Sequence, residues 1–327
     1  MKKIYTILIV AFVLALTSVT VMAFEDMPDD WSTKALQSAV DNGLLAGDNN
    51  KLLPKNNLTR AQMATVLVRA LGATEQGDIS SFTDVSKDKW YYGAMATSYK
   101  MGIFLGNGAG KLTPEANITR QEAFVVLARA FNLKATTTSG LNKFTDNADV
   151  ATWARPELEA MIANGYVGGS NGKLNPNAYI TRAEFAQVMY NLVKAYVDNA
   201  EELSKLGTVD GNVIIRANVL SEVKDVTVNG DLIIGDGMSK LTSLKNVKVN
   251  GRLVVRASGN MKFDGQAKEM VLSADNTKVT KSKTSIINKV VINSDNSAVS
   301  PETEETPSIP SGPVTPGKEE DIWTDFH

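Results

Sequence analysis

The chain has 327 residues, 43% hydrophobic and 21% charged, with 34 basic against 36 acidic side chains, which fits about two globular domains of roughly 150 residues each. It contains no cysteine and a single histidine, His327, which excludes disulfides and thiolate chemistry and argues against imidazole-based metal or acid–base mechanisms. The near-neutral charge argues against a nucleic-acid-binding face, leaving a binding or structural protein, or an enzyme that works with carboxylates alone.

Met1-Lys2-Lys3 forms a positive start, Ile4 to Leu16 an apolar run too short to span a bilayer comfortably, and Val21-Met22-Ala23 a small-residue cleavage site. Residues 1–23 are therefore expected to be a signal peptide, with Phe24 as the mature start and no membrane span after cleavage. An uncleaved anchor is the alternative. Export without cysteine means that packing alone must stabilise the fold.

A threefold repeat follows. Phe24-Glu25-Asp26, Phe82-Thr83-Asp84 and Phe144-Thr145-Asp146 are each followed by a tryptophan (Trp31, Trp90, Trp153) and a glycine (Gly43, Gly102, Gly165). Next come a proline (Pro54, Pro114, Pro176) and the triplets Leu58-Thr59-Arg60, Ile118-Thr119-Arg120 and Ile180-Thr181-Arg182. Each unit reads as two helices joined by a glycine-rich loop. In the first, Trp31, Ala35, Ala39 and Val40 follow helical spacing and Asn42-Gly43 offers a left-handed stop. The second helices open with capping boxes, Thr59 with Gln62, Thr119 with Glu122 and Thr181 with Glu184. Glu122 and Glu184 are thus read as caps and not as catalytic acids. Met63, Val66, Leu67 and Ala70, like Phe124, Leu127, Ala128 and Phe131, supply buried stripes.

Arg60, Arg120 and Arg182 fall at the first helical position, where the helix dipole disfavours a cation by a few tenths of a kcal/mol, on the order of the lower end of dipole effects. Two readings are open. A guanidinium beside free backbone amides would form an anion site able to grip a carboxylate or phosphate. Alternatively, each arginine would bridge Asp26, Asp84 or Asp146 and fix the fold.

The F-x-D opening, the internal tryptophan and the T-R-A-E-like helix start resemble the S-layer homology domain in three tandem copies, over residues 24 to 192. The resemblance implies a pseudo-trimer of helical units with grooves between them. It also implies binding to bacterial cell-wall polysaccharide, either a pyruvylated secondary polymer or a peptidoglycan-linked glycan. Carried over position by position, the implied glycan-binding residues are Arg60, Arg120 and Arg182, Asp26, Asp84 and Asp146, and Trp31, Trp90 and Trp153. Gly47, Gly106 and Gly168 are looser matches. Gln62 departs from the motif glutamate and Gln121 from its alanine, both compatible with capping. Asp48-Asn49-Asn50 stands where unit two has Asn107-Gly108-Ala109. Tryptophan at helical spacing also fits a core position.

Two local motifs lose force in this frame. Gly106-Asn107-Gly108-Ala109-Gly110-Lys111 resembles a phosphate loop but continues into Leu112 and coincides with the repeat's inter-helix loop. Asn57-Leu58-Thr59 and Asn117-Ile118-Thr119 match glycosylation sequons whose threonines are helix caps.

Residues 183 to 206 read as one extended closing helix, ended by Gly207. Beyond it the period changes. Val209-Asp210-Gly211, Val228-Asn229-Gly230 and Val249-Asn250-Gly251 precede Val213-Ile214-Ile215, Leu232-Ile233-Ile234 and Leu253-Val254-Val255. Met270-Val271-Leu272 and Val290-Val291-Ile292 extend the series. Continuous triplets near every 20 residues predict a β-solenoid of about four turns, with a meander of hairpins as the alternative. Asp231, Asp236, Asp264 and Asp275 sit at unrelated phases of this repeat. From Ser300 the chain turns to Pro, Glu, Thr and Ser, the composition of a disordered acidic tail, with Ile322-Trp323-Thr324-Asp325-Phe326 as a candidate docking segment.

The expected fold is multi-domain α + β. It comprises a helical three-repeat module (24–72, 82–132 and 144–206), a small all-β domain, solenoid-like, over 207–299, and a tail over 300–327. The expected function is non-enzymatic anchoring of a secreted cell-surface protein to cell-wall polysaccharide, without cofactor, metal or nucleic-acid partner. A wall-anchored polysaccharide hydrolase or lyase with its site on the solenoid is the alternative, as is a self-assembling structural lattice protein, with self-association in a surface layer.

Overall fold

The computed structural model describes residues 24–135, 137–216, 222–238 and 243–302. The expected signal peptide and the Ile322–Phe326 segment lie outside these residues. Each repeat unit contributes two helices: α1 (Thr33–Asp41) and α2 (Arg60–Leu71), α3 (Tyr92–Lys100) and α4 (Arg120–Ala130), then α5 (Arg155–Ala163) and α6 (Arg182–Leu192). All three capping boxes form as the sequence predicts. Thr59, Thr119 and Thr181 accept the amides of residues 62, 122 and 184, whose side chains reach back to the threonine N–H groups.

The units close on one another in a ring. Helix α2 packs on α3, α4 on α5, and α6 returns to α1. At the centre the Leu58 amide donates to the Ile180 carbonyl (2.9 Å), Ile118 to Leu58 (3.0 Å) and Ile180 to Ile118 (3.1 Å). All three side chains are fully buried. This closed cycle gives the helical half a pseudo-threefold axis.

The closing helix of the third unit differs from expectation. Helix α6 stops at Leu192, and Val193 is already extended, so no single helix runs from 183 to 206. The Lys194 amide and the Leu192 carbonyl bond instead to Asn212, and the next residues form a strand that buries Val197. A second short helix, α7 (Ala200–Ser204), follows.

The strands run in chain order as β1 (Ala195–Val197), β2 (Thr208–Val209), β3 (Val213–Ile215), β4 (Glu222–Lys224), β5 (Thr227–Val228) and β6 (Leu232–Ile234). They continue as β7 (Ser243–Val255), β8 (Gly259–Leu272), β9 (Thr277–Lys281), β10 (Ile286–Ile287), β11 (Val290–Ile292) and β12 (Ala298–Pro301). Every pairing among them is parallel, which excludes the hairpin meander and makes this half a β-solenoid. One wall stacks β1, β3, β6, the ends of β7 and β8, and β11, in register. Pairing of β12 with β9 carries the domain to Pro301, two residues beyond the expected boundary.

The continuous triplets have a purpose that alternation would not serve. Their outer residues, such as Val213, Ile215, Leu232, Ile234, Met270 and Leu272, fill the solenoid interior. Their middle residues, Ile214, Ile233, Val254 and Val271, join the core of the helical half. This wall is buried on both faces. Its last rung is not: Val290 and Ile292, equivalent to buried Met270 and Leu272, are 41% and 46% exposed, with no further coil over them among the described residues.

Three solenoid arginines fasten the halves together. Arg216 donates to the carbonyls of Asn42 (2.9 Å) and Arg69 (3.4 Å), Arg252 to those of Phe131 (3.1 Å) and Asn132, and Arg256 to that of Ala130 (3.2 Å). These carbonyls belong to the C-terminal ends of α1, α2 and α4, whose last turns lack intrahelical partners and carry partial negative charge. Asp198, Asp231 and Asp236 aim the three guanidinium groups at 2.6, 2.7 and 2.7 Å. Close approach also requires glycine: a Cβ on Gly235 would collide with the Leu71 carbonyl, and one on Gly72 would lie 2.6 Å from the Arg216 carbonyl.

Candidate functional site

The second helix of each unit begins beside the inter-helix loop of the next, and the arginine is the hinge between them. Arg60 Nε donates to the Leu112 carbonyl (2.9 Å), Arg120 to Leu174 (2.7 Å) and Arg182 to Leu52 (2.7 Å). The amides of these same loop segments are held by the motif aspartates. Asp26 accepts from Leu52 and Leu53 (2.6 and 2.8 Å), Asp84 from Leu112 and Thr113 (3.0 and 2.7 Å), and Asp146 from Leu174 and Asn175 (2.9 and 2.7 Å). Each loop is thus clamped by its own aspartate on the N–H side and by its neighbour's arginine on the C=O side. Partial burial raises the carboxyl pKa of Asp26 and Asp146, but the donated backbone N–H groups outweigh it and leave both below the usual carboxylate range.

Both sequence-based readings of the arginines need correction. The helix-start amides are not free: Arg60 and Ala61 donate to Ala116 and Pro114, Arg120 and Gln121 to Ala178 and Pro176, and Arg182 and Ala183 to Asn56 and Pro54. Nor does Arg60, Arg120 or Arg182 bridge Asp26, Asp84 or Asp146 among the described residues. The ion partners are the capping glutamates of the following unit, with Arg60 at 3.6 Å from Glu122 and Arg120 at 2.6 Å from Glu184. The partner of Arg182 by the same symmetry is Gln62, which has no charge, and Arg182 Nη2 donates to the Ala46 carbonyl instead (2.9 Å). Burial lowers the pKa of Arg60 and Arg182, opposed by Glu122 and Asp84 at the first and by Asp26 at the second.

A groove of about 450 Å³ opens beside Arg120. Its walls come from all three units: Trp31 from the first, Arg120 and Phe124 from the second, and Gly168, Gly169, Ser170, Glu184, Gln187 and Asn191 from the third. The ring order therefore groups Arg120 with Trp31, and by the same rotation Arg60 with Trp153 and Arg182 with Trp90. Trp31, Trp90 and Trp153 are 61%, 66% and 54% exposed. Trp31 precedes α1 and does not join its buried face, contrary to the helical-spacing reading. An exposed indole beside a polar groove offers a flat surface for a sugar ring.

The loop glycines divide into two kinds. A Cβ on Gly47 would strike the Phe24 ring, one on Gly106 would lie 2.8 Å from Phe82, and one on Gly169 2.7 Å from Phe144. Gly169, one residue after the expected Gly168, is therefore the structural counterpart of Gly47 and Gly106, the glycine that lets the motif phenylalanine pack under the loop. Gly168 faces open space within the groove. Sequence reasoning missed Gln187 and Asn191. Their spacing of three and seven residues from Glu184 along α6 was the available signal.

Among the described residues no group of acidic or histidine side chains could hold a metal ion, and no helix is long and apolar enough to cross a membrane. Asp210, Asp231 and Asp236 on the solenoid are each bonded to Asn229, Arg252 or Arg256.

The family profile for the S-layer homology domain matches residues 23–64, 81–124 and 143–186. The chain is 39% identical over 189 residues to the surface-layer 125 kDa protein of Lysinibacillus sphaericus, covering 56% of this chain and 16% of that one. It is 26% identical over 254 residues to an S-layer protein of Bacillus licheniformis, covering 73% and 29%. It is also 27% identical over 176 residues to an amylopullulanase of Thermoanaerobacterium thermosulfurigenes, covering 52% and 9%. The chain thus spans less than a third of the length of each of these relatives.

Proposed function

We propose that this chain, which carries three tandem S-layer homology domains followed by a β-solenoid, holds a secreted protein to the bacterial cell wall by binding an acidic wall polysaccharide. The observation that carries this reading is the groove in which Trp31, Arg120 and the Gly168–Ser170 loop meet. The indole stacks on a sugar ring, the guanidinium attracts a carboxylate or phosphate, and Gln187 and Asn191 bond to sugar hydroxyls. The aspartates act one step back by fixing the loops that carry these groups. Three related grooves on one rigid ring allow several repeats of one polymer to be held together, which multiplies weak affinities through effective concentration by a hundredfold or more, on the order of typical avidity gains.

Similarity to an amylopullulanase raises the possibility of polysaccharide cleavage by the chain itself. The engagement of Asp210, Asp231 and Asp236 in hydrogen bonds and ion pairs supports the anchoring role.

The test is co-sedimentation of the full chain with native wall sacculi and with sacculi stripped of their secondary polymer. The parent protein pellets only with native walls. Trp31→Ala is the informative variant, because its exposed indole contributes little to the core. Its wall binding falls about tenfold, the effect of about 1.4 kcal/mol, with the melting temperature unchanged. Arg120→Ala also weakens binding, but it breaks the Leu174 and Glu184 bonds and lowers stability as well. Equal pelleting with stripped walls would move the target to peptidoglycan, and no pelleting with either would refute the anchoring role.

A further inference from the structure

A second cleft, of about 590 Å³, lies where the helical ring meets the solenoid. It adjoins the Arg120 groove, because Tyr166 lines both. Its frame is fixed by groups already satisfied. Buried Asn212 bonds to the Leu192 carbonyl, the Asp231 amide and the Tyr166 hydroxyl, and Arg252 ties Asp231 to the end of α4. A cleft held in this way is formed before any ligand arrives, which limits the entropy cost of binding.

What the frame leaves open is of one chemical kind. Lys134 from the helical half and Lys268 from the solenoid line the cleft and make no ion pair among the described residues. The other two cations, Arg252 and Lys289, are matched by Asp231 (2.7 Å) and Glu269 (3.2 Å). Two ammonium groups therefore remain uncompensated. The Tyr166 hydroxyl accepts from Asn212 and keeps its own hydrogen to donate, and burial keeps it a neutral phenol. The Asn293 side chain also lines the cleft and makes no hydrogen bond among the described residues. Hydroxyl-matching donors and acceptors beside two free cations suit a hydroxyl-rich polyanion.

We propose that this junction cleft is a second subsite for the acidic polysaccharide, taking the stretch of chain that runs past Tyr166 out of the Arg120 groove. Lys134 and Lys268 receive an anionic substituent, while Tyr166 and Asn293 bond to sugar hydroxyls. The solenoid is then part of the wall-binding surface and not only cargo carried by the helical ring. This inference rests on the groove being a glycan site, so the experiment separates the two.

Polysaccharide released from native sacculi is fractionated by length and titrated into the full chain at a fixed ionic strength of about 0.15 M, where exposed charges are screened beyond roughly 8 Å. The parent protein, Arg120→Ala, the double variant Lys134→Ala/Lys268→Ala, and a control pair of exposed lysines outside the cleft, Lys87→Ala/Lys278→Ala, are compared. The inference expects the cleft double variant to bind multi-repeat fractions about tenfold more weakly and single-repeat fractions as the parent does, with the control pair near parent. Parent-like binding of long fractions by the cleft variant, with loss in Arg120→Ala, would overturn the subsite and leave the groove standing. An equal loss in the control pair would reduce the effect to net charge and overturn it too. No binding of either fraction by the parent would refute both.

Discussion

The two halves solve the same problem, stabilising a repeated sequence, in opposite ways. The helical units close on themselves: the carbonyl–amide cycle through Leu58, Ile118 and Ile180 leaves no first or last member. The solenoid stacks and stays open, so that its triplets are fully buried in β3 and β6, whereas in β11 the outer two residues are exposed and the middle one is half-buried. A closed ring makes each unit depend on the next, because every loop is clamped by a neighbour's arginine. An open stack spreads stability over nearest neighbours and ends on an edge. The ring therefore repeats the same arginine-and-aspartate loop clamp three times, and the stack provides one long wall to lay against it.

The largest effect tests the closure. Ile180→Ala at the axis removes a fully buried side chain and should cost about 2–5 kcal/mol. Because the axis is shared, urea unfolding followed by circular dichroism should shift the whole helical transition and not that of the third unit alone. A shift confined to one-third of the helical signal would mean that the units fold independently. Next comes the joint between the halves. Gly235→Ala drives a Cβ into the Leu71 carbonyl, a cost of about 1–3 kcal/mol for overpacking. Calorimetry should resolve two transitions in place of one, since the hard clash falls on the joint at Leu71 while the Ile215 carbonyl of the solenoid lies at 3.0 Å.

What the sequence made legible follows the same division. The capping boxes at Thr59, Thr119 and Thr181 were readable because threonine and its partner sit three residues apart, and no distant group can override that geometry. The solenoid was readable from triplets recurring near 20 residues. The ring was not. That Arg60, Arg120 and Arg182 reach carbonyls more than 50 residues away, and that Trp31 belongs with Arg120 and not with Arg60, depends on how the units rotate about a common axis. The end of α6 was hidden for another reason: Val193-Lys194-Ala195-Tyr196-Val197 is a short, mostly apolar stretch that suits helix or strand equally, and only the Asn212 bonds and the adjoining β3 decide it. The middle residues of the triplets were likewise ambiguous until the helical half supplied a second apolar face.

Acid should distinguish the halves more gently. The folded-state pKa values of Asp26 and Asp146 lie below the usual value of about 3.9 for an unfolded aspartate. A carboxyl with a lowered folded-state pKa contributes stability that is present above the unfolded value and is lost as pH falls through the folded one. The helical half should hold its melting temperature down to about pH 4 and lose it progressively below. In the double variant Asp26→Asn/Asp146→Asn that acid limb should flatten, at the cost of a lower plateau near neutrality. A limb of unchanged slope would mean that other carboxylates carry the acid response.

The smallest expected effect concerns the open end. Val213 and Val290 are the same residue type at the same place in their triplets, and both point toward the solenoid interior. Val213 is fully buried and Val290 is 41% exposed. Truncating Val213 to alanine removes two methyl groups from a packed interior, a loss of about 2 kcal/mol from transfer and cavity terms together. Val290→Ala removes the same atoms from a surface that water already reaches, and should cost well under about 1 kcal/mol, as exposed substitutions do. Urea midpoints of the two variants give the difference directly. If Val290→Ala instead costs as much as Val213→Ala, the last rung is covered in solution, and the stack is closed there by chain or partner beyond the residues described.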